Sequence, residues 1–206
     1  MKKTVKLGTL CEVSSGISLS RVKVQGGVED GSESTSFSAG RKVVKVLLPK
    51  ALSKGVINAD ELVEEEVENV KPGYLTQAGD VVVKLTTPFD CAYVTEDLEG
   101  LLLTSSACVL RIKEGSELDM RFLSAYLNSD SVSKYLASLS SGTTGLKTLR
   151  KKTLEDLDIP LVPLEKQHGL SKLFELLALR KNEYLELMEL DHQLFEGELH
   201  RTIERD

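Results

Sequence analysis

Residues 154–167 read LEDLDIPLVPLEKQ, a short segment with two prolines set directly before the longest helical pattern in the chain. Proline fixes φ near −65° and pushes the residue before it out of the helical region, so helix is barred up to Pro163 and free to begin just after it. Leu164 and Glu165 then open a helix with an acid in its first turn, where the helix dipole favours negative charge. Upstream, Ile159 and Leu161 can anchor the segment in a globular body. The stretch therefore predicts a rigid junction between two units, residues 1–160 and residues 161–206.

The second unit runs helically from about Lys166 to Ile203. Leu170, Leu173, Leu177, Tyr184, Leu187 and Leu194 recur at 3-4 spacing, with Arg180 and Asp191 on two intervening seam positions. Phe174, Met188 and Phe195 flank the same face. At 1.5 Å per residue the expected helix is roughly 50–55 Å long, too long for a body of this size to cover. No other segment is long enough to pair with it within the chain. Those six residues are thus expected to form the seam of a coiled coil with a partner chain.

The first unit mixes strand and helix signals. RKVVKVLLP (41–49) is a strand ended by Pro49, and the β-branched run Val81–Val83 follows a turn at Gly79-Asp80. LLLTSSACVLRIK (101–113) offers two strands in series. Leu7, Leu10 and Val13 stand at helical spacing. The acidic segment 58–71 fits a helical turn begun by Asn58 or Asp60, or an edge strand, and both readings stay open. Asp119 is placed to cap a helix carrying Met120, Leu123, Tyr126 and Leu127, and SVSKYLASL (131–139) makes a second one. Without regular strand–helix–strand alternation, the fold class expected is α+β.

Composition excludes several classes. No window approaches the 18 uninterrupted apolar residues of a membrane span, and MKKTVKLGTL lacks the apolar core of a secretory signal. Cys11, Cys91 and Cys108 are odd in number and far apart, which fits buried free thiols in a reducing cytoplasm, not a disulfide framework or a zinc site. His192, Glu196 and His200 share a helix face at i, i+4 and i+8, and are read as a solvated face with no metal. None of GxGxxG, GxxxxGK[ST], GxSxG or HExxH occurs, and TTPFD (86–90) lacks the second proline and amide of an amino-methyltransferase tetrapeptide. No enzyme active site and no cofactor is expected.

The net charge of −6 is unevenly spread. Residues 1–160 hold 20 Lys/Arg against 22 Asp/Glu, and residues 161–206 hold 6 against 10. A nearly neutral first unit can still present a local basic face, which is what phosphate binding requires. Thr143, Thr144, Lys147, Arg150 and Lys151 combine hydroxyls and cations in and after a glycine-bounded loop, suited to phosphate and sugar contacts. Arg21 and Lys23 in the first loop, and Lys84 beside Thr86 and Thr87, are further candidates. With no Trp and 5% aromatic residues, duplex DNA read by hydrogen bonds is a better fit than a stacked single strand.

Several segments together resemble a known family. KLGTLCEVSSG, YLTQAGDVVVKL, FLSAYLNSDSVSKYL and SSGTTGLKTLRKKTLEDLDIPLVPLEKQ resemble, in that order, parts of the target recognition domain of type I restriction-modification specificity subunits. The resemblance implies a non-catalytic DNA-reading subunit that directs a methyltransferase, and in some systems a restriction/translocase subunit, to a bipartite site. It further implies a half-length form, with one recognition domain and one long helix where the usual chain has two of each, the helices packed antiparallel as a spacer, so that a homodimer through residues 166–203 would rebuild that layout. The segment KLTTPFDCAYV and the acidic, serine-rich VEDGSESTSFSAG depart from the family pattern. They motivate a second reading, a regulatory paralogue that docks on the methyltransferase through its coiled coil without reading sequence.

Overall fold

The computed structural model describes residues 4–23, 41–142 and 147–203. Strand β1 (Thr4–Lys6), the single turn α1 (Leu7–Leu10) and strand β2 (Cys11–Ser15) open the chain. Then come β3 (Arg41–Leu47), the short pair β4 (Leu52–Ser53) and β5 (Val56–Ile57), and β6 (Val63–Glu68). Strands β7 (Val81–Lys84), β8 (Cys91–Tyr93), β9 (Leu102–Leu103) and β10 (Ala107–Ile112) complete the sheets. Helices α2 (Met120–Leu127), α3 (Asp130–Leu139) and α4 (Lys151–Glu155) follow, then strand β11 (Asp158–Pro160) and the 40-residue helix α5 (Leu164–Ile203).

The centre is a four-stranded antiparallel sheet in the order β2-β10-β7-β8. Successive side chains in a strand point to opposite faces. Val81, Val83, Cys108 and Leu110 therefore face one way and pack with Phe122, Leu123, Leu127, Leu136 and Leu154 of the helices. Val82, Ala92 and Val109 face the other way and pack with Leu47, Leu52, Leu101 and Leu103. Both faces are covered, so the central strands are unbroken apolar runs and do not alternate with polar residues. A second sheet, β6-β3-β9, pairs β3 antiparallel with β6 and parallel with β9. This mixed arrangement is the α+β class expected.

Two segments settle differently from their local patterns. The 5–13 stretch, read as helically spaced, is a strand, one helical turn and a second strand, because β1 pairs with β11 and β2 with β10. The acidic 58–71 stretch uses both open readings. The Asn58 side chain accepts from Asp60 N (3.1 Å) to cap a short turn, and β6 then forms an edge strand.

The proline junction is held from both sides. Ile159 is fully buried and pairs with Val5 in the β1–β11 ribbon. Gln167, one turn into α5, is also fully buried, and its amide is completely used. Its Oε1 accepts from Asp119 N (2.9 Å), while Nε2 donates to Glu117 O (3.1 Å) and Val162 O (2.8 Å). Asp119 in turn caps α2 by accepting from Arg121 N (2.8 Å), and its other carboxylate oxygen accepts from Ser171 Oγ (2.9 Å). One aspartate thus binds the starts of two helices. Arg121 pairs with Glu175 and lies over the Tyr93 ring, 4.2 Å from its centroid.

Helix α5 is about 60 Å long at 1.5 Å per residue. It docks on the body through Gln167, Ser171, Phe174 and Ala178, but every described side chain from Leu179 to Ile203 is exposed. That leaves an arm of 25 residues, about 37 Å, standing free of the domain.

Candidate nucleic-acid interface

The strand registers bring four separate stretches to one end of the central sheet. Strand β2 ends where β10 begins (Ser15 opposite Cys108), and β7 ends there too (Lys84 opposite Ala107). The chain leaves β2 through Gly16, whose N–H donates to Ala107 O (3.1 Å), and Ile17, whose N–H donates to Leu103 O (2.9 Å). A Cβ on Gly16 would sit 2.2 Å from Thr104 O, so only glycine lets these backbones approach so closely. A short 3₁₀ turn, Leu19–Arg21, then presents Arg21.

The loop after β7 meets the segment before α4. Thr86 and Ser141 both bridge to Thr148, and Leu149 N donates to Leu85 O (2.8 Å). Thr87 N donates to Lys147 O (3.1 Å), and Lys147 N donates to Thr87 Oγ1 (3.2 Å). Lys84, Thr86, Thr87, Lys147, Arg150 and Lys151 therefore share one rim with Arg21, although they come from three regions of the sequence. Thr143 and Thr144 lie outside the described residues.

The cations on this rim are not equivalent. Arg21, Lys84 and Arg150 make no ion pair among the described residues. Lys84 N donates to Asp90 O (2.9 Å); burial raises the Asp90 carboxyl above the ordinary range, with Lys84 pulling the other way. Lys147 donates to Ala137 O (3.3 Å) near the end of α3, where a cation complements the carbonyl ends. Lys151 lies 3.6 Å from Glu155, and Lys152 is shared between Glu155 and Asp156. Lys23 turns away to the second sheet, bridging to Val67 and pairing with Glu65 at 2.8 Å.

That second sheet is charge-balanced. Arg41 and Lys45 of β3 stand opposite Glu68 and Glu64 of β6, and Val43 stands opposite Glu66. Cross-strand pairs of this kind neutralise the strand and leave no basic face there. Sequence reasoning missed Ser105 and Ser106, which lie on the same rim between β9 and β10, Ser105 donating its N–H to Ile17 O (3.0 Å). Their signal was present in the small polar run TSS inside LLLTSSACVLRIK.

Among the described residues no group of three His, Cys, Asp or Glu side chains converges as a metal site, and no helix is long and apolar enough to cross a membrane. The three thiols are buried, and burial pushes Cys11 and Cys108 up to about 12 and Cys91 higher still. None is poised as a nucleophile, which would need a lowered pKa.

A family model described as the type I restriction modification DNA specificity domain matches residues 35–188. The chain belongs to this family. Its fold is shared by the S subunit of the M. genitalium type I restriction-modification system, at 16% identity and a TM-score of 0.54, over 93% of this chain and 42% of that one. A chain solved in work on complex assembly and conformational transition of the type I R-M system matches at 20% identity and a TM-score of 0.60, over 90% of this chain and 44% of that one. The HsdS subunit of Thermoanaerobacter tengcongensis matches at 18% identity and a TM-score of 0.50, over 86% of this chain and 37% of that one. This specificity-family chain thus spans about two-fifths of the length of those structures. No curated protein sequence matches it.

Proposed function

We propose that the chain is a non-catalytic, cytoplasmic subunit that reads duplex DNA for a type I restriction-modification system. Residues 1–160 read a half-site and residues 161–206 set the spacing to a second copy. The observation that carries the reading is the rim itself: loops from three parts of the chain meet at one sheet end, where Arg21, Lys84 and Arg150 carry unpaired cationic charge among the described residues. Phosphate contacts from these residues, with Lys147 and Lys151 beside them, position the domain. Thr86 and Thr87, with Thr143 and Thr144, supply the short hydroxyl side chains for base or sugar contact. Lys23, paired with Glu65, contributes least. The partners are double-stranded DNA, a methyltransferase subunit and, in a complete system, a restriction/translocase subunit. A homodimer through α5 presents two copies of the rim to a bipartite target.

The test is duplex binding by fluorescence anisotropy across a salt series, comparing the wild type with Arg21→Ala/Lys84→Ala/Arg150→Ala. Each lost phosphate contact should lower the slope of log K against log salt by about 0.9. The triple variant should therefore flatten the slope by roughly 2–3, and an unchanged slope would remove these residues from the interface. Co-expression with a type I methyltransferase subunit, followed by mapping of methylated adenines, distinguishes sequence reading from an assembly role. A stable complex with an unaltered methylation pattern would favour the assembly role.

A further inference from the structure

The turn that joins β9 to β10 stands at the middle of the rim. Ala107 N donates to Thr104 O (3.0 Å) to close it, so Ser105 and Ser106 are its corner residues. Because β10 lies between β2 and β7, the turn is gripped from both neighbours. On one side Ser105 N donates to Ile17 O (3.0 Å), just past the end of β2. On the other Leu85 N, just past β7, donates to Ser106 O (2.8 Å).

The hydroxyls at this end of the sheet differ in what they have left to offer. Thr104 is buried and donates to Leu47 O (3.5 Å). Ser18 and Ser20 bond each other (2.9 Å), Thr148 donates to Ser141 O (3.3 Å), and Thr87 Oγ1 accepts from Lys147 N (3.2 Å). A serine in a turn commonly bonds the backbone beside it. Ser105 and Ser106 do not: neither side chain makes a hydrogen bond among the described residues, and Ser105 is exposed. Their backbone is fixed and their hydroxyls are free.

The spacing suits duplex DNA. Adjacent strands lie about 4.8 Å apart, so β2 and β7 are separated by about 10 Å with β10 between them. The major groove is about 12 Å wide. Arg21, in the turn after β2, and Lys84, at the end of β7, flank the serines and can reach phosphates on the two groove walls. A serine hydroxyl both donates and accepts, so it can bond any base edge, but its reach is short. It reads a base only from a backbone held close and still, which the double grip supplies.

We propose that Ser105 and Ser106 are specificity-determining residues, whose hydroxyls enter the major groove and read adjacent base pairs between the phosphates held by Arg21 and Lys84. This rests on the reading of the rim as the duplex-binding face.

Methylation mapping and binding by the full chain test this. Co-expressed with a type I methyltransferase subunit, the wild type defines a methylated motif. Fluorescence anisotropy on duplexes carrying that motif, or one changed base pair, then gives the discrimination at each position. Ser105→Ala/Ser106→Ala should lower discrimination about tenfold at one or two adjacent positions of a half-site and leave the others as they were. The methylation map should relax at those same positions. The salt slope and the affinity for an unrelated duplex should not change, because no phosphate contact is lost. Ser105→Thr/Ser106→Thr keeps both hydroxyls and should retain the motif. An unaltered motif in the alanine variant, or an equal loss on every duplex, overturns the assignment while leaving the rim as the binding face. A salt slope unchanged in Arg21→Ala/Lys84→Ala/Arg150→Ala overturns the face itself, and a wild type that binds all duplexes alike overturns sequence reading altogether.

Discussion

Replacing Gln167 by alanine should loosen the whole molecule more than its size suggests. The side chain makes three hydrogen bonds of 2.8–3.1 Å, linking α5 to Asp119, Glu117 and Val162, and none of its surface is exposed. At about 1 kcal/mol net per bond, with one N–H and two carbonyls left short of partners, the loss is roughly 3–4 kcal/mol. A chain of about 200 residues shifts its Tm by about 2–4 °C per kcal/mol, so the melting midpoint should fall by roughly 6–16 °C. Gln167→Glu sharpens the test, because the introduced carboxyl keeps the volume but, once ionised, cannot donate to Glu117 O and Val162 O. Burial and those two carbonyls raise its folded pKa above the free value of about 4.3. A group raised in the folded state stabilises below its unfolded pKa and loses that contribution as pH rises through the folded pKa. The Tm gap between Gln167→Glu and wild type should therefore widen from pH 5 to pH 8. A Gln167→Ala shift below about 3 °C, or a gap independent of pH, would refute the idea that this amide holds the junction.

Two further outcomes follow from the packing. Gly16→Ala forces a methyl group against Thr104 O, so it should cost roughly 1–3 kcal/mol in denaturant unfolding and weaken duplex binding by shifting the Arg21 turn, and wild-type-like stability would contradict the close approach. Cys11, Cys91 and Cys108 should resist a thiol reagent at pH 8 until the chain unfolds, when all three react together; fast labelling of the native protein would contradict their burial.

Much of the architecture was legible where local chemistry is decisive. Pro160 and Pro163 precede the start of the long helix at Leu164, Asp119 caps α2, and the β-branched run at 81–83 is a central strand. The long helix begins at Leu164, where the prolines place its start, and at about 60 Å it is longer than the roughly 50–55 Å of its apolar repeat. What could not be read is what depends on distant partners. The 5–13 stretch is strand because residues near 110 and 159 pair with it, and no local spacing encodes that. Likewise, Arg21, Lys84 and Arg150 gather on one rim through the Thr86–Thr148 bridge and the Gly16 approach. Which lysines are already paired, Lys23 with Glu65 and Lys151 with Glu155, is decided only in three dimensions.

The ribbon of β1 with β11 has a topological consequence. It places the first strand of the domain beside the base of α5, since Thr4 lies opposite Pro160. A load applied to the arm therefore reaches the first strand of the domain as well as Gln167 and Asp119, so the angle between arm and domain is set by residues from both ends of the domain's sequence.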